Sequence, residues 1–421
     1  ASYGEAFQFC DSLGVEIFDP LAFKGRQASG TPGLAGGRGG YADASLIPTE
    51  GDWEKYRLTY RLWGRLTYNP ATAAQVWRRE LRAEVGDDAR IVAAVESGVG
   101  KASRILPLIT TAHLPSAANF NYWPEIYTNM SLVDAAHPGA YTDTPSPRVF
   151  GNVSPLDPQL FATINACAAA EVRGDALARI TPLEVAQQLE DWSDGAMGDL
   201  AVAAGAKAHD PTAGRRRLLI DASIAAGIGR FFTWKLRAGV LFGMFQQTRD
   251  EALRAEALRA YRRARGAWAD FSERAHGVYL TDLTYGPPAH LRGNWSDRLT
   301  AIDRDIAAVE AYTLPAASGG DAALPAANHP TAQALIARVL GKPTRLNLHL
   351  DHQPVSTFHS GAPIVIAASA ASLTALRLLY RHVNQAEHFT TTPMRQDGNA
   401  FTATIPAACT HTLRPLQYYF E

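Results

Sequence analysis

Apolar residues between positions 53 and 311 recur with the period of an α-helix. Tyr56, Tyr60 and Trp63 are spaced i, i+4, i+7, and a leucine stripe runs beside them. Two adjacent apolar stripes predict a first helix that is buried around much of its girth. Long helices are predicted at about 182–208, 211–245 and 250–275, so this region is expected to form a large all-α domain.

Residues that can cap a helix precede several of these segments. Thr181, Pro182 and Glu184 have the order of a capping box with proline at the first helical position. Thr248 and Glu251 have the same three-residue spacing. Both pairs are therefore predicted to mark helix starts.

After an Ala/Gly/Pro-rich stretch at 316–330 and one short helix, apolar and polar residues alternate. Strands are predicted at 345–350, 363–368, 375–383, 388–394, 400–405 and 415–420. Asp397 and Gly398 are suited to a tight hairpin turn. Six short strands at this spacing predict an immunoglobulin-like β-sandwich.

The first 50 residues follow neither pattern. Residues 3–13 read as an amphipathic helix and 15–18 as a buried strand, followed by a glycine-rich stretch at 25–40. One helix-strand unit cannot close a sheet, so we expect a larger α/β domain upstream of Ala1.

The predicted fold is therefore a multidomain α+β protein. Its parts are the end of an α/β, barrel-like domain with a glycine-rich loop at 1–50, an all-α helical domain at 51–315, a linker with a short helix at 316–343, and a β-sandwich at 344–421.

Composition narrows the functional classes. The chain has 421 residues, 47% of them hydrophobic, and a net charge of -1. This balance gives no long-range attraction for nucleic acid or an anionic membrane, so neither is an expected partner. The arginine-rich stretches at 215–217 and 254–265 are predicted to be solvated helix faces. The three cysteines are far apart, and we expect neither a metal nor another cofactor.

One segment, residues 113–130, lacks any helical or strand period and concentrates aromatic and amide side chains. Flat aromatic faces and directional amides suit a sugar, which is apolar on its ring faces and polar at its rim. An equally weighted alternative is a buried loop whose amides satisfy backbone groups. The candidate substrate-binding residues of this segment are His113, Asn119, Asn121, Tyr122, Trp123, Tyr127 and Asn129.

Glu125 is the candidate general acid or base of the same segment. Its neighbours Trp123 and Pro124 form an apolar wall, which raises the pKa of a carboxyl group. The competing interpretation is a carboxylate at a helix N-terminus.

A second interruption, at 279–298, supplies Arg292 and Trp295 as further candidate binding residues. Lys24 and Arg26, after the N-terminal strand, add positive charge suited to a uronic-acid carboxylate. We expect the two interruptions to meet at a shared cleft.

Four phrases carry a resemblance to a known class of proteins: EIFDPLAFKGR, DWEKYRLTYRLWGRLTYNP, HLPSAANFNYWPEIYTNMSL and LRPLQYYFE. The chain resembles the C-terminal half of bacterial polysaccharide-degrading glycoside hydrolases, more loosely of the α-glucuronidase and hexosaminidase type. The resemblance implies carbohydrate hydrolysis, with Lys24 and Arg26 at the C-terminal edge of a barrel strand, where such enzymes hold substrate.

Three functions stay open. The first is a glycoside hydrolase acting on a uronic-acid-containing polysaccharide or oligosaccharide. The second is a polysaccharide lyase, in which Tyr122 or Tyr127 abstracts a proton and Asn119 or His113 neutralises the uronate. The third is a glycan-binding module without catalysis. In each case the partner is a carbohydrate, a homo-oligomer is compatible with the sequence, and a periplasmic or secreted location is expected.

Overall fold

The computed structural model describes residues 5, 14, 40–113, 131–133, 149–175, 177–205, 212–281, 283–284, 292–314, 330–344, 349–371, 373–384 and 386–421. Within these ranges the protein is a mixed α+β structure, mostly helical, with small antiparallel sheets near its C-terminus. The predicted N-terminal helix, strand and glycine-rich loop lie outside the described residues, apart from single positions.

The longer helices fall into two consecutive groups. The first group is α1 (Arg57–Tyr68), α2 (Gln75–Val85), α3 (Ala89–Ala102), α4 (Ile105–Ala112) and α5 (Ile164–Arg173). The second is α6 (Pro182–Gly205), α7 (Ala213–Thr248), α8 (Glu251–Ala275), α9 (Leu299–Ala311) and α10 (Ala332–Leu340).

Helix α7 lies at the centre of the helical region. It is 36 residues long, and its neighbours include α5, α6 and α8. Its side chains from Ala222 to Phe245 are buried at most positions, as expected for a helix that is apolar on nearly every face. The predicted start of α6 is confirmed, since the backbone N–H of Thr181 donates to Glu184 and the N–H of Glu184 donates to Thr181 Oγ1.

Glycines let the neighbouring helices approach α7 closely. A Cβ atom added at Gly227 would overlap Phe271 Cβ of α8, and one at Gly243 would lie 2.9 Å from Ala168 Cβ of α5. At Gly229 it would meet Ser193 of α6. Because real carbon atoms do not approach this closely, the spacing of three helices depends on the missing side chains.

The prediction of a capping box at Thr248 is wrong. Helix α7 continues to Thr248, and Asp250 caps α8 by accepting a hydrogen bond from Ala252 N at 2.9 Å. Asp250 is the better cap because Arg249, in a left-handed conformation with φ of 63°, has already reversed the chain direction.

The prediction that α1 is buried around much of its girth is also wrong. None of its residues is buried, and Tyr68 is 89% exposed. Leu58 and Leu62 instead line a small pocket with Val76 and Trp77, near the start of α2. An apolar period predicts a helix but does not fix how many neighbours the helix has.

The arginines at 215–217 are not a solvated face. Arg217 is buried and binds Glu54 at 2.6 Å and the carbonyl of Leu46 at 3.0 Å. Arg215 is buried against the carbonyl of Ala203, and Arg216 binds Asp43 at 2.7 Å. Several of these partners are more than 150 residues away in sequence, so the local pattern gives no sign of them.

A small hairpin of two strands, β1 (Leu283–Thr284) and β2 (Arg292–Gly293), interrupts the helices between α8 and α9. The remaining strands follow Thr344. They are β3 (Asp351–His352), β4 (Ile364–Ser369), β5 (Arg377–His382), β6 (Thr390–Pro393), β7 (Arg395–Asp397), β8 (Ala400–Ile405) and β9 (Leu416–Phe420). One further helix, α11 (Ala407–Thr410), is a single turn between β8 and β9.

The strands after Thr344 form two antiparallel sheets. One has the order β3-β4-β8-β7 and the other β6-β5-β9. Buried residues of both sheets, including Ile366, Leu378 and Phe401, form one hydrophobic cluster. The turn at Asp397 and Gly398 is confirmed; it joins β7 to β8, and β7 is a strand that the sequence pattern does not separate from its neighbours.

The chain divides into two compact units, with the boundary between Pro343 and Thr344. The barrel-like and immunoglobulin-like assignments, and the four domain boundaries, stay predictions. In the described ranges no helix combines the length and apolar character needed to cross a bilayer.

The close packing around α7 gives a testable expectation. Gly227→Ala should lower the free energy of unfolding by about 1–3 kcal/mol, because its methyl group would overlap Phe271. The matched control is Gly198→Ala on α6, where nothing lies within 4 Å of an added Cβ. That change should be neutral or stabilise by up to about 1 kcal/mol, since alanine restricts the unfolded chain.

The measurement is urea unfolding followed by tryptophan fluorescence. All 8 tryptophans lie between positions 53 and 295, so the signal reports the helical region alone. Equal effects of the two substitutions would contradict the close-approach explanation.

Candidate functional site

Three of the predicted site residues fall within the described ranges: His113, Trp295 and, for its backbone, Arg292. The others lie outside them, namely Lys24, Arg26, Asn119, Asn121, Tyr122, Trp123, Glu125, Tyr127 and Asn129. The site is therefore built from the residues at the described ends of the two predicted segments.

His113 lies at the end of α4 and is 3% exposed. Its Nε2 is 3.0 Å from the carbonyl oxygen of Phe150, and its ring centroid is 4.0 Å from the Phe150 ring. A carbonyl only accepts hydrogen bonds, so Nε2 carries the proton. Nδ1 therefore presents a lone pair, and no hydrogen-bond partner for it occurs among the described residues.

Lys235, on α7, is fully buried beside this histidine. Its Nζ lies 4.5 Å from the ring centroid of Phe150, 5.4 Å from that of Tyr261 and 5.6 Å from that of Phe231. Aromatic faces stabilise an ammonium group that has lost its water. Burial lowers the pKa of Lys235 to about 8, although the carboxylate of Asp305 acts in the opposite direction.

Asp305, on α9, completes the group. The backbone N–H of Leu132 donates to both of its carboxylate oxygens, at 2.9 Å to Oδ1 and 3.1 Å to Oδ2. The hydroxyl of Tyr261 also donates to Oδ2. Burial and the nearby Asp305 carboxylate raise the pKa of Tyr261 well above its ordinary value, so the phenol keeps its proton and donates. We call His113, Phe150, Lys235, Tyr261 and Asp305 the Lys235 cluster.

The Lys235 cluster brings together described residues that flank the first predicted segment. His113 immediately precedes residues 114–130, and Leu132 follows that range closely. Phe150 follows 134–148 closely, and its N–H donates to Ser131 O at 2.8 Å. Three points of the chain are thus held together by one buried lysine and one buried carboxylate.

Sequence reasoning missed Lys235, Tyr261 and Asp305, although two of them leave a trace. Lys235 is a single lysine within FFTWKLRAGVLFGMF, and lysine is rarely buried without a partner. Asp305 lies three residues after Ile302 and four before Val309, on the apolar stripe of α9.

The second predicted segment begins at Tyr279, whose hydroxyl donates to Asp221 of α7 and accepts from Lys55 at 2.9 Å. Lys55 also lies 3.1 Å from Asp221. Burial, the largest single effect, works against the charge of Lys55, but Asp221 together with Tyr41 and Tyr56 outweighs it and raises the pKa of Lys55 above its ordinary value. Tyr41 stacks on Tyr279 with ring centroids 5.0 Å apart.

Trp295 belongs to the core beside this group. It is 7% exposed, its carbonyl accepts from Trp268 Nε1 at 2.7 Å, and its ring is 5.4 Å from that of Tyr279. The backbone of Arg292 pairs with Thr284 in the small hairpin of β1 and β2. The predicted substrate contacts of both residues stay predictions.

The described parts of the two segments do not meet at one cleft. Lys235 lies on α7 beside the first segment and Asp221 beside the second, and the two residues are separated by roughly 21 Å along a helix that rises about 1.5 Å per residue. The buried rings of Phe231 and Trp268 occupy the region between them, with centroids 5.0 Å apart. No group of three or more His, Cys, Asp or Glu side chains in the described ranges is arranged to hold a metal ion.

In sequence comparisons, no protein-family model and no curated protein matches the chain. Among solved structures, the chain is similar to a GH138 enzyme targeting pectin rhamnogalacturonan II. The sequence identity is 13% and the TM-score is 0.46. The likeness covers 60% of this chain and 37% of that chain, so this chain spans well under half the length of that structure. A likeness of this extent defines neither a family nor an activity for this chain.

The Lys235 cluster predicts a specific dependence of stability on pH. Burial, and then the charge of Lys235, lower the pKa of His113 from 6.5 to about 3. Below the ordinary pKa the unfolded chain takes up a proton that the folded protein cannot accept until about pH 3. The free energy of unfolding should therefore fall on acidification through this window, by about 1.4 kcal/mol per pH unit.

His113→Gln, which keeps a donor for the Phe150 carbonyl but does not titrate, should remove this contribution. Between about pH 7 and about pH 4, its free energy of unfolding should fall by roughly 3 kcal/mol less than that of the wild type. Urea unfolding at both pH values tests this. The control is His276→Gln at an exposed position. If the free energy of unfolding of His113→Gln falls between these pH values by as much as that of the wild type, this histidine is not held neutral by the fold.

Proposed function

We propose that this chain is a carbohydrate-active protein in which residues 113–130 bind the glycan. The observation that carries the proposal is the composition of this segment, four large aromatic side chains interleaved with amides, bounded on both sides by residues of the Lys235 cluster or their direct partners. A binding segment gains affinity when its ends are held in place, because less chain entropy is lost when the ligand binds.

The proposed binding residues fall into three chemical kinds. Trp123, Tyr122 and Tyr127 supply faces for stacking on sugar rings, and Asn119, Asn121 and Asn129 supply directional hydrogen bonds. Lys24, Arg26 and Arg292 are proposed to neutralise a uronic-acid carboxylate, for which a guanidinium is well suited.

The activity that we favour is hydrolysis of a glycosidic bond, with Glu125 as the general acid or base. The flanking Trp123 and Pro124 supply the apolar surroundings that keep a carboxyl group protonated near neutral pH. A second carboxylate is needed for either stereochemical course. The lyase alternative is less well supported, because the His113 imidazole is buried and already donates to the Phe150 carbonyl.

Binding can be tested by calorimetry with oligogalacturonate and with a neutral oligosaccharide of equal length. Trp123→Ala and Tyr127→Ala should each weaken binding of oligogalacturonate by about tenfold, the loss of one stacking contact. Tyr68→Ala is the matched control, since it removes an aromatic side chain that is 89% exposed on α1. Wild-type affinity in both segment variants would refute the proposed site.

Catalysis requires a separate assay. The hydrolase would be supported if the wild type releases reducing sugar from the same substrate. Glu125→Gln should then lose this release but retain binding. A product that absorbs in the ultraviolet would identify a lyase instead. Binding with no product would identify a non-catalytic module and contradict the hydrolase assignment.

A further inference from the structure

A surface groove of about 410 Å³ runs between α6 and α7, away from the residues of the Lys235 cluster. Its walls are mainly aliphatic, with Met197 and Leu200 from α6 and Leu219 and Ile220 from α7. Leu46 and Val278 also line it. This volume is within the range of pockets that hold small ligands, commonly about 300–1,000 Å³.

The charges at this groove have one sign. Arg216 and Arg274 line it, and no acidic side chain does so among the described residues. Arg216 is partly neutralised by Asp43 at 2.7 Å. Arg274, at the end of α8, is exposed and has no ion pair or hydrogen bond to its side chain in the described ranges. Its guanidinium donors are therefore available to a ligand.

The one hydroxyl group among the lining residues already has a hydrogen-bond partner within the protein. Ser223 Oγ donates to the carbonyl of Ile220 at 2.8 Å, within its own helix. The polar side-chain groups that remain in the groove are thus the two guanidinium groups, which lie beside an aliphatic surface. A guanidinium binds carboxylate, sulfonate or phosphate groups through paired hydrogen bonds.

We propose that this groove, which we call the arginine groove, binds an organic anion with an apolar body, of which a medium-chain carboxylate is the simplest example. The apolar body occupies the aliphatic walls and leaves water, while the anionic head binds Arg274 and, more weakly, Arg216. Two long helices form the walls, so the groove exists before the ligand arrives. The inference does not depend on the proposed carbohydrate function.

Sodium decanoate, used as the probe below its micelle concentration, tests the proposal by titration calorimetry. The wild type should bind one equivalent, and decanol, the neutral counterpart, should bind more weakly. Arg274→Gln should weaken decanoate binding by about tenfold, the cost of losing one charge-assisted hydrogen bond. Arg79→Gln is the matched control, because Arg79 is exposed on α2 and lacks an ion pair in the described ranges.

A second variant fills the groove and leaves its charge unchanged. Ala201→Trp replaces an exposed lining residue of α6 and should abolish decanoate binding. Circular dichroism confirms that each variant is folded before titration. The proposal is overturned if the wild type does not bind decanoate, if decanol binds equally well, or if both variants bind as the wild type does.

Light scattering tests whether a second copy of the chain, rather than an anion, occupies the groove. A dimer that Ala201→Trp dissociates and that does not bind decanoate would overturn the anion proposal in favour of self-association. Glycan binding is titrated in separate experiments, so a negative result for one of the two proposed sites does not affect the result for the other.

Discussion

The structure of the helical region depends on how closely other helices approach α7. Gly227, Gly229 and Gly243 face Phe271, Ser193 and Ala168 on three different helices. At that spacing the core around α7 has no room for additional side-chain atoms, so each neighbouring helix is fixed in position by contact. The positions of Lys235 and Asp221, both on α7, follow from this packing.

Close packing also determines the chemistry of the buried charges. Lys235 sits among Phe150, Phe231 and Tyr261, where aromatic faces replace water around its ammonium group. Charge in such surroundings is costly, and the pKa of Lys235 falls to about 8 although Asp305 opposes the change. The same surroundings keep His113 neutral, since burial and a nearby cation both disfavour the imidazolium. The electrostatic properties of the cluster are therefore consequences of helix spacing.

Long-range polar contacts extend this frame to segments that have little regular structure. Arg217 binds Glu54, Arg216 binds Asp43, and Asp305 accepts from Leu132. These contacts tie residues 43–54 and 132 to the helices. The Lys55, Asp221 and Tyr279 group does the same for the start of the second predicted segment. In this protein charged residues fix loops to helices as well as facing solvent.

The sequence alone determined the type and approximate bounds of most elements. The long helices α6, α7 and α8 and strands β4 and β8 were recognised because hydrophobic periods of 3.6 and 2 are local properties, as is the turn preference of Asp397 and Gly398. It also singled out His113, which is buried at the end of α4. Tertiary structure alone decided that no residue of α1 is buried, that Arg215 and Arg217 are buried, and that Lys235, Tyr261 and Asp305 surround His113. The physical reason is that burial and pairing depend on residues far away in sequence, often more than a hundred positions, whose approach is set by side-chain volume and glycine contacts that no local pattern records.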